Sequence, residues 1–278
     1  MRWGFSFQQI VRKLLPDYVL EEGPPLTVAP QNTLPQILCG SPTGAGQSDA
    51  ALVQLTSSIS KFANKATVYA NEADTDNLLT FGPFCGRVIL ENGCAALMGR
   101  LDPFRLMYLS EFQRQPEYEL GKRVKSAFSW AGDVVTEEKP DASLWHTDRD
   151  MDKISRSLFS RHCDHLYWKP AISGLLDYIA GRTDDELNDI LQIAPENFIA
   201  QTRGRLSQYY SQLSKGVHWE FFNSAQQLDE ITVRSLLRDT TVHLAALGLA
   251  SHFIPTAYSS LSPNDAVEAY IEFRRAVP

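Results

Sequence analysis

The sequence predicts an all-α protein, a multi-helix up-down bundle with a Pro/Gly-rich N-terminal arm, and three observations predict it. Apolar residues recur at steps of three and four along most of the chain, as they do on one face of a helix. No segment sustains the period-two alternation of a half-buried strand. Helix start signals stand where the apolar stripes begin, most plainly Asp102-Pro103 and Ser262-Pro263. No repeat of fixed period is present, which argues against a solenoid.

Taken in order, residues 5–15 place their apolar side chains on one side of a short amphipathic helix that Pro16 ends. Residues 21–48 hold five prolines and four glycines, so they read as a linker or draped arm with little apolar surface to bury. The chain therefore divides into residues 1–48, a helix plus arm, and residues 49–278, the helical bundle. Ser48 and Asp49 stand as caps before a helix whose Leu52, Leu55, Ile59, Phe62, Ala66 and Tyr69 form one stripe. The next helix interleaves Gly82, Cys85, Gly86, Gly93 and Ala96 with large apolar residues. Small residues let neighbouring helices approach, so this helix is expected to be the most buried. Asp102 and Pro103 open another. Further helices are expected near 117–131, near 149–168 with Pro170 as its breaker, at 184–193, from 195 to 214 or 215, at 229–252 with Asp229 and Glu230 in its first turn, and at 263–276. Gly216 is expected to end the helix that begins at 195, with His218 at the corner and Trp219, Phe221 and Phe222 packing the turn.

The 278 residues, 44% hydrophobic and 21% charged, have the composition of a globular protein. Lys+Arg 26 against Asp+Glu 33 gives −7, so the molecule as a whole repels phosphate backbones and anionic lipid. A nucleic-acid role would need a local basic patch, and "GKRVK" (121–125) and "RGR" (203–205) are short enough to be solvated helix faces. Four cysteines without a CxxC pair, no secretory pattern at the start, and no apolar run of about 18 residues point to a cytoplasmic chain with reduced thiols and no membrane span.

Each motif that suggests chemistry has a plainer reading. "ILCGSPTGAGQS" (37–48) runs from apolar residues through glycines toward a helix, but Gln47 stands where a phosphate-cradling loop needs Lys. "HTDRDMDK" (146–153) alternates Asp148, Asp150 and Asp152 like a calcium loop, yet offers Lys153 where Gly and Phe159 where Glu is required. "RHCDH" (161–165) puts His162 and His165 one turn apart, half of a zinc set with no second cluster to complete it. No G-x-S-x-G elbow is present. These readings call for no metal and no cofactor. A ligand pocket beside the glycine-rich helix at 82–99 has only the small residues in its favour.

The stretch "YYSQLSKGVHWEFF" (209–222), a long helix ending in Leu-Ser-Lys-x-Val-His and an aromatic corner, resembles the HEPN-like helical bundles of bacterial toxin-antitoxin and phage-defence systems. The resemblance takes in about residues 50–252, with the arm and the 263–276 helix outside it. In active members an Arg and a His several residues later form an RNA-cutting pair at a dimer interface, the His moving protons and the Arg stabilising phosphate charge. Before His218 the family's Arg position is taken by Ser211, Gln212 and Leu213, so the resemblance implies a structural His218. Arg156 to His162 and Arg238 to His243 do match the spacing, where about one match is expected by chance. Residues five apart lie about 140° apart on a regular helix, so Arg238 and His243 converge only if the helix breaks between them. The resemblance thus implies a non-catalytic subunit or adaptor of a bacterial defence or toxin assembly, bound to other protein subunits. The alternative it implies is a metal-independent endoribonuclease using Arg238 and His243 in a homodimer.

Overall fold

A computed structural model describes residues 33–72, 75–118, 127–137, 143–148, 150, 154–218 and 228–277. The described residues contain no strand, and their helices are α1 (Thr33–Cys39), α2 (Gln47–Asn71), α3 (Asp76–Leu101), α4 (Pro103–Gln113), α5 (Arg161–Cys163), α6 (Lys169–Ile179), α7 (Asn188–Leu191), α8 (Pro195–His218), α9 (Glu230–Ser251) and α10 (Pro263–Ala276). The all-α expectation holds. The predicted 5–15 helix lies outside the described residues.

The glycine-rich helix is α3, and it carries more buried residues than any other described helix. Its small residues serve its neighbours one after another. A Cβ built on Gly82 would lie 2.8 Å from Val233 of α9, one on Gly86 2.9 Å from Leu213 of α8, and one on Gly93 3.1 Å from Leu244 of α9 and 3.3 Å from Leu38 of α1. At Gly99 the same atom would run into Leu106 of α4. Four helices therefore rest directly on the α3 backbone, and interior packing leaves no slack for added methyl groups there.

Ser262 caps its helix as expected, its hydroxyl accepting a hydrogen bond from Asp265 N at 3.2 Å, whereas Asp229, expected in the first turn, stands just before the helix and caps it, its carboxylate accepting from Thr232 N at 2.7 Å. Asp102 precedes Pro103 at the start of α4 but makes no side-chain cap. At α2 the helix begins at Gln47, and Asp49 reaches back to accept from Thr43 N (3.0 Å) and Thr43 Oγ1 (2.5 Å), folding the 43–46 loop over the helix start.

Other expectations are corrected. Within the stretch read as an arm, Thr33–Cys39 forms α1, whose Ile37, Leu38 and Cys39 are completely buried against α2, α3, α9 and α10. Pro35 sits in its first turn, where a missing N–H costs nothing. No helix occupies the described part of 117–131. Trp130–Val134 is a π-type turn broken at Ala131 and at Gly132 (φ 110°). Residues 154–160 are not helical either, because Leu158 N and Phe159 N bond Asp133 O (2.8 Å) and Val134 O (3.1 Å) instead. The helix starts at Arg161 under a Ser160 cap. It is not broken by Pro170 either. A π-turn over Asp164–Trp168, in which Lys169 N donates to Asp164 O, absorbs the proline and leads into α6. Finally, Gly216 does not end α8. It lies inside that helix with Pro83 of α3 against it, close enough that a Cβ would meet the proline ring at 2.6 Å.

One end of the bundle is organised by Arg100, which is completely buried. Its guanidinium donates to Tyr258 O (3.0 Å), Leu38 O (3.4 Å), Ser251 Oγ (2.6 Å), Ser260 Oγ (2.9 Å) and His252 Nδ1 (3.0 Å). His252 Nδ1 also accepts from Leu261 N at 3.0 Å, so the ring carries its proton on Nε2 and donates it to Ile37 O at 2.9 Å. Burial, reinforced by the Arg100 charge, pushes the His252 pKa from 6.5 to about 3.

Two predictions follow from these contacts. Gly40 ends α1 at φ 73°, and a Cβ there would collide with the Ser259 carbonyl, whereas Gly204 is a helical position of α8 with open space around it. In urea denaturation Gly40→Ala should cost about 2 kcal/mol or more, while Gly204→Ala should gain about 0.5–1 kcal/mol. Unfolded His252 takes up a proton below pH 6.5, but the folded residue does so only near 3. Its contribution is therefore complete above pH 6.5 and shrinks as pH falls toward 3, by roughly 3 kcal/mol at pH 4. A His252→Gln variant, less stable than wild type at pH 7, should show a correspondingly flatter loss of stability between pH 6.5 and 4.

Candidate functional site

Of the sequence-derived candidates, His243 lies at the seam between α8 and α9. Arg205 and Tyr209 share one face of α8 through i,i+4 spacing, as Asp239 and His243 do on α9. Tyr209 meets the His243 ring edge-on, with centroids 5.5 Å apart, and the Arg205 cation is near enough to the Tyr209 hydroxyl to oppose the burial that raises its pKa. His243 Nδ1 faces the Asp239 carbonyl oxygen at 2.8 Å and so must donate, which leaves the acceptor lone pair on Nε2. Burial is the main reason that the His243 pKa lies below its usual value. The Arg205 and Arg274 charges push it further down, and Asp239 opposes them. His243 is therefore a neutral imidazole at pH 7.

Arg238 is not brought to His243. α9 is continuous from Glu230 to Ser251, so the two residues keep their 140° separation, and the half-exposed Arg238 pairs with Asp239 Oδ1 at 3.1 Å. The cations that act on His243 come from other helices, Arg205 of α8 and Arg274 of α10. Sequence reading missed both. Arg205 and Tyr209 are legible as neighbours on one helix, but nothing local says which helix α8 packs against. His218 is exposed at the last position of α8, and the aromatic corner expected after it lies outside the described residues.

Elsewhere, Arg156 is exposed while His162 is buried, with Nε2 3.1 Å from Leu144 O and its ring against Trp145. Among the described residues no group of three His, Cys, Asp or Glu side chains is arranged to hold a metal ion. Of the calcium-like loop, residues 149 and 151–153 lie outside the described residues. In the glycine-containing loop the Asp49 carboxylate takes the Thr43 hydroxyl and backbone N–H, and Ala45 N turns to Thr43 Oγ1; the bond from the Thr43 hydroxyl is the main reason that the Asp49 pKa lies below the usual carboxylate range. An open groove of about 560 Å³ runs beside the C-terminal half of α3, bordered by Ser58, Asn92, Leu106 and Phe128.

A second feature, not foreseen, is the outer face of α4. This helix buries Leu106 alone. Phe104, Tyr108 and Phe112, spaced by four, continue to Tyr118 as a ladder of rings 6.2–6.4 Å apart. Phe104 is 69% and Tyr108 57% exposed, an apolar stripe of the kind that marks association surfaces.

Comparison with protein-family models, with curated proteins and with solved structures finds no match. Among the described residues no helix is long and apolar enough to cross a membrane.

Proposed function

We propose that this chain is a non-catalytic helical subunit that assembles with other protein chains through the outer face of α4. The observation that carries the proposal is the ring ladder that the exposed Phe104 and Tyr108 and the half-buried Phe112 form on α4, and that Tyr118 extends beyond it, on a helix whose inner face buries only Leu106. Aromatic rings are the side chains that dominate binding energy at protein interfaces, because each buries a large area at little cost in conformational entropy. The setting, a cytoplasmic bacterial defence or toxin assembly, rests on the resemblance of residues 209–222 to HEPN-like bundles. Affinity purification of the tagged chain from its native host should recover specific partner proteins at low salt. A Phe104→Glu/Tyr108→Glu double variant with unchanged circular dichroism should lose them, by roughly 100-fold in affinity. Recovery of no protein by the wild type, or equal recovery by the variant, would count decisively against this role.

The geometry of His243 favours a second reading, a metal-independent endoribonuclease. Its neutral Nε2 is the form that can take a proton from a ribose 2′-hydroxyl, and Arg205 stands across the seam. The 2′-oxygen would attack phosphorus, the 5′-oxygen would leave with a proton, and the arginine would stabilise the charge between them. In this reading Arg205 takes the part that spacing alone gives to Arg238. With EDTA present, purified wild type should then cut RNA. His243→Ala should abolish cleavage at unchanged helix content, while His218→Ala should leave it intact.

A further inference from the structure

The net charge of −7 conceals stretches that carry bases alone. Three stretches hold no Asp or Glu at all: α2 after Asp49, α3 between Asp76 and Glu91, and α8 after Glu196. They carry Lys61, Lys65, Arg87, Arg203, Arg205 and Lys215. Between Glu72, which accepts from Asn77, and Glu91, which pairs with Arg87, the surface where α2 and α3 run together is also aromatic. Phe62 of α2 meets Phe84 of α3 edge-on at 5.6 Å, and Tyr69 of α2 meets Phe81 of α3 at 5.9 Å. Lys61 and Lys65, one turn apart, place their ammonium groups 5.8 Å and 5.9 Å over the Phe62 and Tyr69 rings. Phe81 and Phe84 are 47% and 45% exposed, and Val68 beside them 55%. The close contact of Gly216 with Pro83 brings the end of α8, with its exposed Lys215, against the same part of α3.

Exposed rings next to lysines that have no ion-pair partner among the described residues are a poor solution for a bare surface. They suit a ligand that brings flat apolar faces and regularly spaced negative charge together. We propose that the α2/α3 aromatic-lysine face binds single-stranded RNA, with bases stacking on Phe81 and Phe84 and phosphates meeting Lys61, Lys65 and Lys215. Stacking platforms beside cationic side chains are how single strands are held without sequence preference. RNA is the occupant because unpaired, splayed bases are its ordinary recognition element, whereas a duplex hides its base faces. An acidic peptide would satisfy the lysines but leave the rings unmatched. This face lies at the end of the α2/α3 pair away from α4, so RNA and the partner proposed for α4 do not compete for it. The inference depends on neither reading of the preceding subsection.

The test is fluorescence anisotropy at several salt concentrations with a labelled U12 oligoribonucleotide whose 2′-oxygens are methylated, so that the 2′-oxygen attack of the second reading above cannot cut it. Wild type should bind U12 more tightly than a 12-base-pair DNA duplex or phosphatidylserine vesicles. Phe81→Ala and Phe84→Ala, at exposed positions and with helix content checked, should each weaken binding by about 5- to 150-fold. Lys61→Gln/Lys65→Gln should reduce the slope of log affinity against log salt by about 1.4, the value for two phosphate contacts on a single strand. Wild-type affinity for U12 no greater than for the duplex or the vesicles, or aromatic variants that bind as wild type does, would overturn the proposal. Loss of binding in these variants at an unchanged partner yield separates this face from that of α4.

Discussion

A fully buried guanidinium with only neutral acceptors sets the terms for the rest of this bundle. Arg100 keeps its charge, although burial lowers its pKa to about 10. Removing such a group from water costs several kcal/mol, and only a complete shell of acceptors offsets the loss. That shell is drawn from α1 (Leu38 O), the last turn of α9 (Ser251), His252 beyond it, and the 253–262 loop (Tyr258 O, Ser260). None of these segments can move away without leaving a charge unsatisfied. Arg100 therefore acts as a positional reference for elements that have little else in common in sequence. The remaining order of the core follows from the α3 glycines, which fix how near each neighbouring helix can come.

This division of labour explains what could be read beforehand. Signals complete within a few residues, such as the Ser262 cap and the small-residue spacing of α3, describe the structure closely. What could not be read was decided by partners far along the chain. Counting prolines hid α1, because its burial depends on α9 and α10 and not on its own composition. The stretch 154–160 has apolar Leu158 and Phe159 at positions a helix would also accept, and pairing with Asp133 and Val134 decides otherwise. The candidate site shows the same limit. His243 and Arg238 were visible, but the surroundings of His243 are made by Tyr209, Arg205 and Arg274 on two other helices.

The surface is organised along the α2/α3 pair. Near the start of α2, where Gln47 bonds Glu111 and Ser48 bonds Pro103 O, the pair supports α4 and its ring ladder. In the second half of α2 lysines cover aromatic faces, and carboxylates return only at the connection, where Glu72 accepts from Asn77. The average charge hides this difference, since acids and bases pair over α6, α8 and α10 (Lys169–Glu196, Arg182–Glu268, Arg275–Glu186) while the second half of α2 carries lysines alone. The two ends present different chemistry on one rigid support, an arrangement well suited to holding two unlike partners at a set distance.

The bond from His252 to Ile37 joins residues 215 apart in sequence. A ribosome adding about 5–20 residues per second needs on the order of tens of seconds to supply the second after the first. For that interval α1 and α3 exist without the acceptors that would bury Arg100, and their glycine-lined grooves stand open to any other greasy helix. Contacts of such long range also slow closure itself. The nascent chain is thus a natural client for holding chaperones, and its assembly is timed by the emergence of its last fifth and not by the formation of its individual helices.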